Sequence, residues 1–522
     1  MAHTRRALSL FSRAFGAALL VGACMVPALS HAAQAPVVLK MARNAEPGIF
    51  IPWLIDDNTA LFTLGNVYDG LLRVTKDGAS VEPALATTWE TSTDGLSWTF
   101  HLRPGVKFSD GSPLTSNDVK VSLDLARGGK RTVWSDNYKA IKDIQTPDAS
   151  TVVVNLTAPH APLLSELAMF PAWIMKADMA TATDQPGYDD SMAWASKGTG
   201  GYYTESWKKG DPVILKRNPN YWKNTPAVDE VDIEYVPDDN TRVLKLQGGE
   251  DDIVDFVPFS QIDALNQQPG VKAMDFPIQQ TTMVMLNVTK PPLGDVNVRQ
   301  ALNYATDKDA IIKTVFFGQA QPMNAPIPLG TYADVESPGY PYNLDKAKAL
   351  MAASSVPNGF TLPMIVSSNN QDRINTAIIL KDEWAKIGVN VDIQQLENSA
   401  FRAAYHGEGN FFAAPTAWTN DMNDPTEIVN YEMRGGPGSG SFAYWTRYYS
   451  PELNDRITQA DLEQDPSKRQ SDYIAIQRAY LNDAPLVFIA NLGATAAWRD
   501  NVNGFLIDGL SYYRFEDVTL SR

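Results

Sequence analysis

Residues 286–309 read LNVTKPPLGDVNVRQALNYATDKD and lie near the middle of the 522-residue chain. The alternation of apolar residues up to Val288 predicts a strand. Pro291 and Pro292 end it, because proline fixes φ and lacks the N–H group that a strand ladder needs. Asp295 is typical of a helix N-cap, and apolar residues follow it at helical spacing. A strand that leaves through two prolines into a capped helix forms a stiff crossover, so we predict a hinge strand that connects two lobes.

The sequence on either side of this stretch predicts mixed helices and strands. After this stretch in the chain, helical segments alternate with strands at 361–366 and 389–393, which is typical of an α/β lobe with a mixed or parallel sheet. Before it, apolar and polar residues alternate at 96–102, as they do in a half-buried strand. The apolar run at 485–489 predicts a second strand that crosses between the lobes. A chain of this length is too long for one core, so two or three domains are expected.

The N-terminus has the pattern of an export signal. Three arginines precede an apolar run at 14–29, and small residues follow at 30–32, which predicts a signal peptide over 1–32. The run is too short for a stable membrane span. The single cysteine, Cys24, lies inside it and offers a lipid-anchor site as an alternative. Because the apolar run continues past Cys24 to a second acceptable cleavage site, we favour a mature chain without a lipid anchor and without any thiol.

The charge of the chain argues against nucleic acid as a partner. The formal net charge is −16, and removal of residues 1–32 takes away three basic groups and no acidic group. Such a surface repels phosphate backbones and anionic lipids.

The sequence lacks the parts of the common hydrolytic and metal sites. After residue 32 the only histidines are His101, His160 and His406, and no cysteine is present. No nucleophile-elbow, zinc-peptidase or phosphate-loop pattern occurs, so esterase, metallopeptidase and ATPase functions are not indicated. We therefore expect no catalysis, no bound metal and no cofactor.

Several segments together form a long signature. The segments are NVYDGLL at 66–72, VEPALA at 81–86, WTFHLRPGVKFSDG at 98–111, GTG at 198–200, NPNYW at 218–222, VRQAL at 298–302 and the residues from Trp384 to Val389. This signature resembles that of the peptide/opine/nickel class of extracellular solute-binding proteins, which are the receptors of ABC importers.

The resemblance implies a two-lobed periplasmic-binding-protein fold, type II-like, with two hinge strands. It places the first lobe at 34–286 with 488–522, an extra subdomain at 70–197 within it, and the second lobe at 287–487. It also implies a monomer in the periplasm that captures a short peptide or peptide-like solute and delivers it to an ABC permease and ATPase complex at the inner membrane. An opine, a sugar or chelated nickel as the solute stays open, and a hydrolase is the remaining alternative.

The stretch AWTNDMNDP at 417–425 follows a strand-like run at 411–414 and is the most informative site candidate. The resemblance implies that Asp421 pairs with the α-ammonium of a bound peptide. It also implies that the backbone of Ala417 and Thr419 forms the strand edge to which an extended peptide adds. A buried ammonium needs a charged partner, and a carboxylate at the end of a strand supplies one.

The remaining ligand-binding candidates are Trp418, Asn420, Arg373, Asn58 and Thr59. Trp418 and Asn420 flank the same strand end. Arg373 lies one or two residues from the position at which relatives hold a peptide carboxylate, and residues 57–59 lie where relatives line the cleft.

Each of these candidates also has a purely structural interpretation. Asp421 is suited to a turn, and Trp418 is suited to the core. Arg373 is suited to a solvated helix start paired with Asp372, and residues 57–59 are suited to a cap before the helix at Leu61.

Overall fold

The computed structural model describes residues 35–55, 58–332, 337–406, 409–436 and 446–521, without the side chain of His406. The predicted signal peptide at 1–32, Cys24 and Asp57 lie outside the described residues. The body considered below begins at Val37.

Strands β1 to β10 are Val38–Arg43, Leu72–Val74, Val81–Pro83, Ala86–Thr91, Ser97–Leu102, Ile141–Asp148, Thr151–Leu156, Tyr202–Ser206, Val213–Arg217 and Glu230–Tyr235. Strands β11 to β19 are Ile253–Asp255, Val271–Leu286, Gln321–Pro322, Phe360–Ser367, Val389–Leu396, Ala413–Thr419, Leu486–Arg499, Val502–Asn503 and Thr519–Leu520. Helices α1 to α14 are Asn58–Leu64, Ser116–Gly128, Leu163–Ala168, Ala177–Thr183, Asp239–Gly248, Ile262–Asn266, Val296–Tyr304, Lys308–Val315, Leu344–Ala352, Gln371–Ala385, Asn398–His406, Thr426–Ile428, Pro451–Leu462 and Pro466–Asp483.

One mixed sheet runs through the whole body. Its strand order is β15-β14-β16-β12-β17-β11-β1-β10-β9-β8, and β13 pairs with β17. The long strands β12 and β17 lie antiparallel at its centre and pair along nearly their full lengths. They are the two predicted crossing strands. Each connects the part of the sheet built from β14 to β16 with the part built from β8 to β11.

The crossover that follows β12 has the predicted cap and buried face. The side chain of Asp295 accepts a hydrogen bond of 2.9 Å from the backbone N–H of Asn297, at the start of α7. Val298, Ala301 and Leu302 are buried. The carboxylate cap and the apolar face together fix this helix against the lobe that follows.

The apolar side chains form separate cores on the two sides of the crossing strands. One core gathers residues between Leu39 and Phe276 with tail residues between Ala496 and Val518. Two others gather residues between Met283 and Ala490. Met422 is an exception, because it lies in the second half of the chain and packs into the first core. This segregation supports two lobes, and the boundaries at 286–287 and 487–488 stay a prediction.

A second sheet belongs to the predicted subdomain. Its four strands have the order β4-β5-β7-β6, and α2 packs on β6 and β7. Phe100 and Leu102 of β5 point into the core and Trp98 is half-buried, as the alternation at 96–102 predicted. None of the helices in the described part of the chain combines the length and the apolar character that a membrane crossing demands.

Candidate ligand-binding site

The hydrogen bonds between β16 and β12 determine which way the backbone of β16 faces. The N–H of Asn420 donates to the carbonyl of Gln279, and the N–H of Asn287 donates to the carbonyl of Phe412, both at 2.9 Å. In an antiparallel pair, every second residue directs both backbone groups toward its partner strand. The even-numbered residues of β16 therefore bond to β12, and the odd-numbered residues face the opposite side.

Ala417 and Thr419 are odd-numbered residues, so their N–H and C=O groups point away from β12. On that side β14 pairs with β16 only at Ala413. Pro415, which has no N–H group, also lies on this side. Within the described residues, no strand pairs with this edge of β16 beyond Ala413. The edge predicted to receive an extended peptide is thus open.

A cavity of about 220 Å³ lies beside this open edge. Pro415 and Ala417 form one wall, and Arg373 on α10 lines it from another element. Aromatic rings complete it, and one of them, Phe256, has a φ of 48°. A non-glycine residue in the left-handed region is uncommon and concentrates at functional sites. The other lining residues are Phe259, Gln280, Thr282, Phe316, Asn370, Asp372, Thr376, Leu492, Gly493 and Thr495.

Arg373 lies in the first turn of α10. Its backbone N–H donates to the N-cap side chain of Asn370 at 2.9 Å. Burial lowers the pKa of the guanidinium, with Tyr405 and Asp372 opposing that effect. Within the described residues the guanidinium forms no ion pair, and this includes the expected partner Asp372. A half-buried cation that lines a cavity and has no carboxylate partner among the described residues can hold an anionic ligand group.

Asp421 follows the end of β16 and is only 8% exposed. Its backbone N–H and that of Met422 donate to Oε2 of Glu427, at 2.8 and 2.9 Å. Burial raises the pKa of Asp421 to about 7, and no neighbouring cation opposes this shift. The carboxyl group therefore lies inside the protein without a positive partner among the described residues.

Glu427 was not predicted from the sequence. It is 1% exposed, and its Oε1 atom has no hydrogen-bond partner among the described residues. Burial first, and the charge of Asp421 second, raise its pKa well above the usual value. An acid in the first turn of a helix is ordinary because it complements the helix dipole. That ordinary pattern hides the role of Glu427 in the sequence.

Asp424 shows the opposite electrostatic situation. It accepts two hydrogen bonds from Arg469, at 2.6 and 2.7 Å, and caps the N–H of Thr426 at 2.9 Å. The guanidinium and these hydrogen bonds outweigh burial and lower the pKa of Asp424. Asp424 is therefore a structural residue with its own buried cation.

Trp418 and Asn420 contact each other at the strand end. Nε1 of Trp418 donates to Oδ1 of Asn420 at 2.9 Å, and the Trp418 ring lies 5.1 Å from that of Tyr431. Trp418 is half-buried, with one part against the second-lobe core. The amide of Asn420 is fully buried and bonds to Gln279 and Thr331 at 3.3 and 3.2 Å. Asn420 thus fixes the tryptophan, and direct ligand contact by either residue stays a prediction.

Asn58 and Thr59 begin α1 on the other lobe. The carbonyl of Thr59 accepts a hydrogen bond of 2.9 Å from Arg43, which forms a buried ion pair with Asp255 at 2.7 Å. Neither residue is among the described residues that line the cavity beside β16. The structure therefore does not bring them together with Ala417 and Arg373, and their contact with a ligand stays a prediction.

The two histidines whose side chains are described, His101 and His160, do not line the cavity beside β16. His101 is exposed, whereas His160 lies 2.9 Å from both carboxylate oxygens of the buried Glu166. In the described parts of the chain, no group of three or more histidine, cysteine or acidic residues is arranged to hold a metal ion.

Comparison with known proteins agrees with this architecture. The chain is 29% identical over 507 residues to the probable D,D-dipeptide-binding periplasmic protein DdpA of Escherichia coli K12, covering 95% of this chain and 96% of DdpA. The structure of the ABC transporter-associated periplasmic binding protein DppA from Helicobacter pylori, in complex with the peptide STSA, matches with a TM-score of 0.81 at 27% identity and covers 93% and 99% of the two chains.

A second solved structure is similar to the same extent but holds another kind of solute. AgaA from A. tumefaciens R10, in complex with agropinic acid, matches with a TM-score of 0.78 at 27% identity and covers 93% of this chain and 99% of AgaA. The model of the bacterial extracellular solute-binding proteins, family 5 Middle, matches residues 80–439. Because that match covers more than half of the chain, the protein belongs to the family 5 bacterial extracellular solute-binding proteins.

Proposed function

We propose that this protein captures short peptides, or peptide-like solutes with a free ammonium group, for an ABC importer. The observation that carries the proposal is the buried carboxyl group of Asp421, which has no cation partner among the described residues and follows the end of an open strand edge. A bound ammonium would supply the missing charge.

The open edge of β16 offers main-chain hydrogen bonds to an extended ligand. An added peptide strand would bond to the N–H and C=O groups of Ala417 and Thr419. Its ammonium group would then lie at Asp421, and its carboxylate would lie at Arg373. From Ala417 to Asp421 the chain advances four residues, which is at most about 13 Å at strand spacing. That span suits a peptide of a few residues.

Contacts between the predicted lobes explain how the ligand would be enclosed. Nδ2 of Asn423 donates to the carbonyl of Ala79 at 3.4 Å, and the N–H of Ala161 donates to the carbonyl of Asp461 at 3.0 Å. Met422, which follows Asp421 in the chain, packs into the first-lobe core. Ligand binding favours this closed arrangement only through a higher affinity for it than for the open one. The closed form would then dock on the permease and ATPase complex.

The charge of the site favours a cationic group over an acidic solute. DdpA is named for D,D-dipeptides and the Helicobacter pylori protein holds a peptide, whereas AgaA holds agropinic acid. An anionic solute group beside Asp421 and Glu427 would be repelled whenever either acid is ionised, and it would find no cation paired there among the described residues. We therefore place peptides and amines ahead of opines as the solute.

The proposed place of action is the periplasm. DdpA is named a periplasmic protein and the Helicobacter pylori relative a periplasmic binding protein. Export would depend on the predicted signal peptide at 1–32, and the mature protein would act as a monomer without catalysis.

Mass spectrometry of the ligand that copurifies with the protein, followed by a thermal-shift screen of di- to tetrapeptides and agropinic acid, tests the proposal. We expect an unmodified peptide or amine to copurify and to raise the melting temperature. Stabilisation by agropinic acid but by no peptide would contradict it, as would hydrolysis of the bound peptide.

A further inference from the structure

Two buried acids lie side by side at the end of β16, and we call Asp421 and Glu427 the acid pair. The backbone N–H groups of Asp421 and Met422 hold Oε2 of Glu427 in place. The Oε1 atom stays buried without a hydrogen-bond partner among the described residues. A buried acceptor of this kind is costly unless a donor reaches it.

Three arginines that follow the acid pair in the chain are engaged with other acids. Arg469 pairs with Asp424 at 2.6 Å, Arg434 pairs with Asp461 at 2.7 Å, and Nε of Arg514 donates to Asp508 at 2.8 Å. Among the described residues, no lysine, arginine or histidine forms an ion pair with either member of the acid pair. In the ligand-free protein, burial favours the protonated, uncharged form of both acids, and a cationic ligand group can take the place of those protons.

A third polar group, the hydroxyl of Tyr512 in the first lobe, lies close enough to feel the charges of the acid pair. Tyr512 is 7% exposed, and its ring packs 5.6 Å from that of Trp173. Its hydroxyl group is buried without a partner among the described residues. Burial is the largest cause that raises the pKa of Tyr512, and the nearby charges of Asp421, Asp508 and Glu427 add to it. The hydroxyl group is therefore neutral and can accept a hydrogen bond.

We propose that Glu427 is a second acidic ligand of the ammonium site and that, with Tyr512, it makes the site selective for a primary ammonium group. A primary ammonium carries three N–H donors, which match the carboxyl group of Asp421, the Oε1 atom of Glu427 and the hydroxyl group of Tyr512. A secondary ammonium lacks one donor, and an acylated nitrogen lacks the charge as well. This inference rests on the proposed function and narrows it to ligands with an unsubstituted amine.

Calorimetric titration with three matched peptide series tests the inference. The probes are di- and tripeptides with a free, an N-methylated or an N-acetylated terminus. For the wild type we expect roughly tenfold weaker binding after N-methylation and more than a hundredfold after N-acetylation, because these changes remove first a donor and then the charge. This comparison needs no substituted protein.

The variants are Glu427→Gln, Tyr512→Phe and, as a control, Glu432→Gln. Glu427→Gln keeps an oxygen that can accept from the two backbone N–H groups, but it places an NH₂ group at the position of Oε1. We therefore expect at least tenfold weaker binding of peptides with a free terminus. The loss of affinity caused by N-methylation of the peptide should also be smaller than in the wild type. Glu432 is also a buried acid with a partnerless Oε2, but it bonds to Tyr480 and Thr446 in the second-lobe core. Glu432→Gln should leave both readouts unchanged.

The outcomes separate the two proposals. The role of Glu427 would be overturned if the wild type bound free and N-methylated peptides with equal affinity. It would also be overturned if a folded Glu427→Gln protein bound peptides as the wild type does. Neither result would contradict the proposal that the protein binds peptides. Failure of every peptide to bind the wild type would overturn the proposed function and this inference with it.

Discussion

The backbone N–H of Asp421 donates a hydrogen bond of 2.8 Å to Oε2 of Glu427, and neither of these two buried acids forms an ion pair among the described residues. Three residues further along, Asp424 has the bidentate guanidinium of Arg469. The same loop thus holds one acid that is neutralised by the protein and one that is not. This contrast separates the structural acid from the candidate ligand site.

Removing the carboxylate that neutralises the buried Arg469 should destabilise the fold. Asp424→Asn leaves the guanidinium of Arg469 buried without its carboxylate, and we expect a loss of about 3–5 kcal/mol in the free energy of unfolding. Urea denaturation without ligand measures this loss. Asp421→Asn removes an acid that has no cation, so a comparable loss in that variant would contradict the distinction.

The stability of the ligand-free protein should depend on pH through Asp421. Its pKa rises from 3.8 to about 7 on folding. A group with a raised pKa adds stability below its unfolded value, and that contribution is lost as the pH rises through the folded value. The free energy of unfolding of the wild type should therefore fall as the pH rises from about 4 to about 7. In Asp421→Asn this decrease should be smaller by roughly 1–3 kcal/mol.

Urea denaturation at a series of pH values measures this difference. Asp382 is an exposed acid on α10, and Asp382→Asn serves as the control that should follow the wild-type curve. Parallel curves for Asp421→Asn and the wild type would show that Asp421 does not titrate as a buried acid.

Arg373 should recognise the carboxylate of the ligand. We expect Arg373→Gln to weaken binding of peptides with a free C-terminus by about 1.5–3 kcal/mol, the value for hydrogen bonds to charged groups. Peptides with an amidated C-terminus should lose little, since they lack the charge. Calorimetric titration of both peptide types measures the effect.

Arg402 lies exposed on α11, and Arg402→Gln is the matched control for the loss of one surface arginine. An equal loss for free and amidated peptides in Arg373→Gln would assign Arg373 to packing, and an unchanged affinity would exclude it from the site.

A proline should be tolerated at a β16 residue whose N–H faces the open edge, but not at one whose N–H bonds to β12. Ala417→Pro removes an N–H group that faces away from β12, so stability should stay near that of the wild type. Peptide affinity should fall by about 0.5–1.5 kcal/mol for the lost hydrogen bond. Thr416→Pro removes an N–H group that faces β12 and should destabilise the fold. Unchanged peptide affinity in a folded Ala417→Pro protein would contradict strand addition.

The sequence predicted the crossover better than it predicted the site. The cap at Asp295 and the buried face of α7 follow from local chemistry, and both are present in the structure. The strand expected at 411–414 is instead β16, Ala413–Thr419. Pro415 argues against a strand within a run of residues, but here it lies on the open edge, where no N–H donor is needed.

The acid pair shows where local patterns stop being informative. Glu427 has the local pattern of a helix-start acid, and only the fold brings its carboxyl group under the backbone of Asp421. Tyr512 is more than eighty residues away in the chain, so its place beside the pair depends on the return of the tail to the first lobe. Such long-range contacts are not visible in residue spacing.

The most direct measurement is calorimetric titration of the copurifying ligand, once identified, into the wild type and Asp421→Ala. We expect Asp421→Ala to bind it about 2–5 kcal/mol more weakly, because the ammonium group would be buried without its carboxylate. Equal affinity of the two proteins for that ligand would contradict the assignment of Asp421 as the ammonium partner.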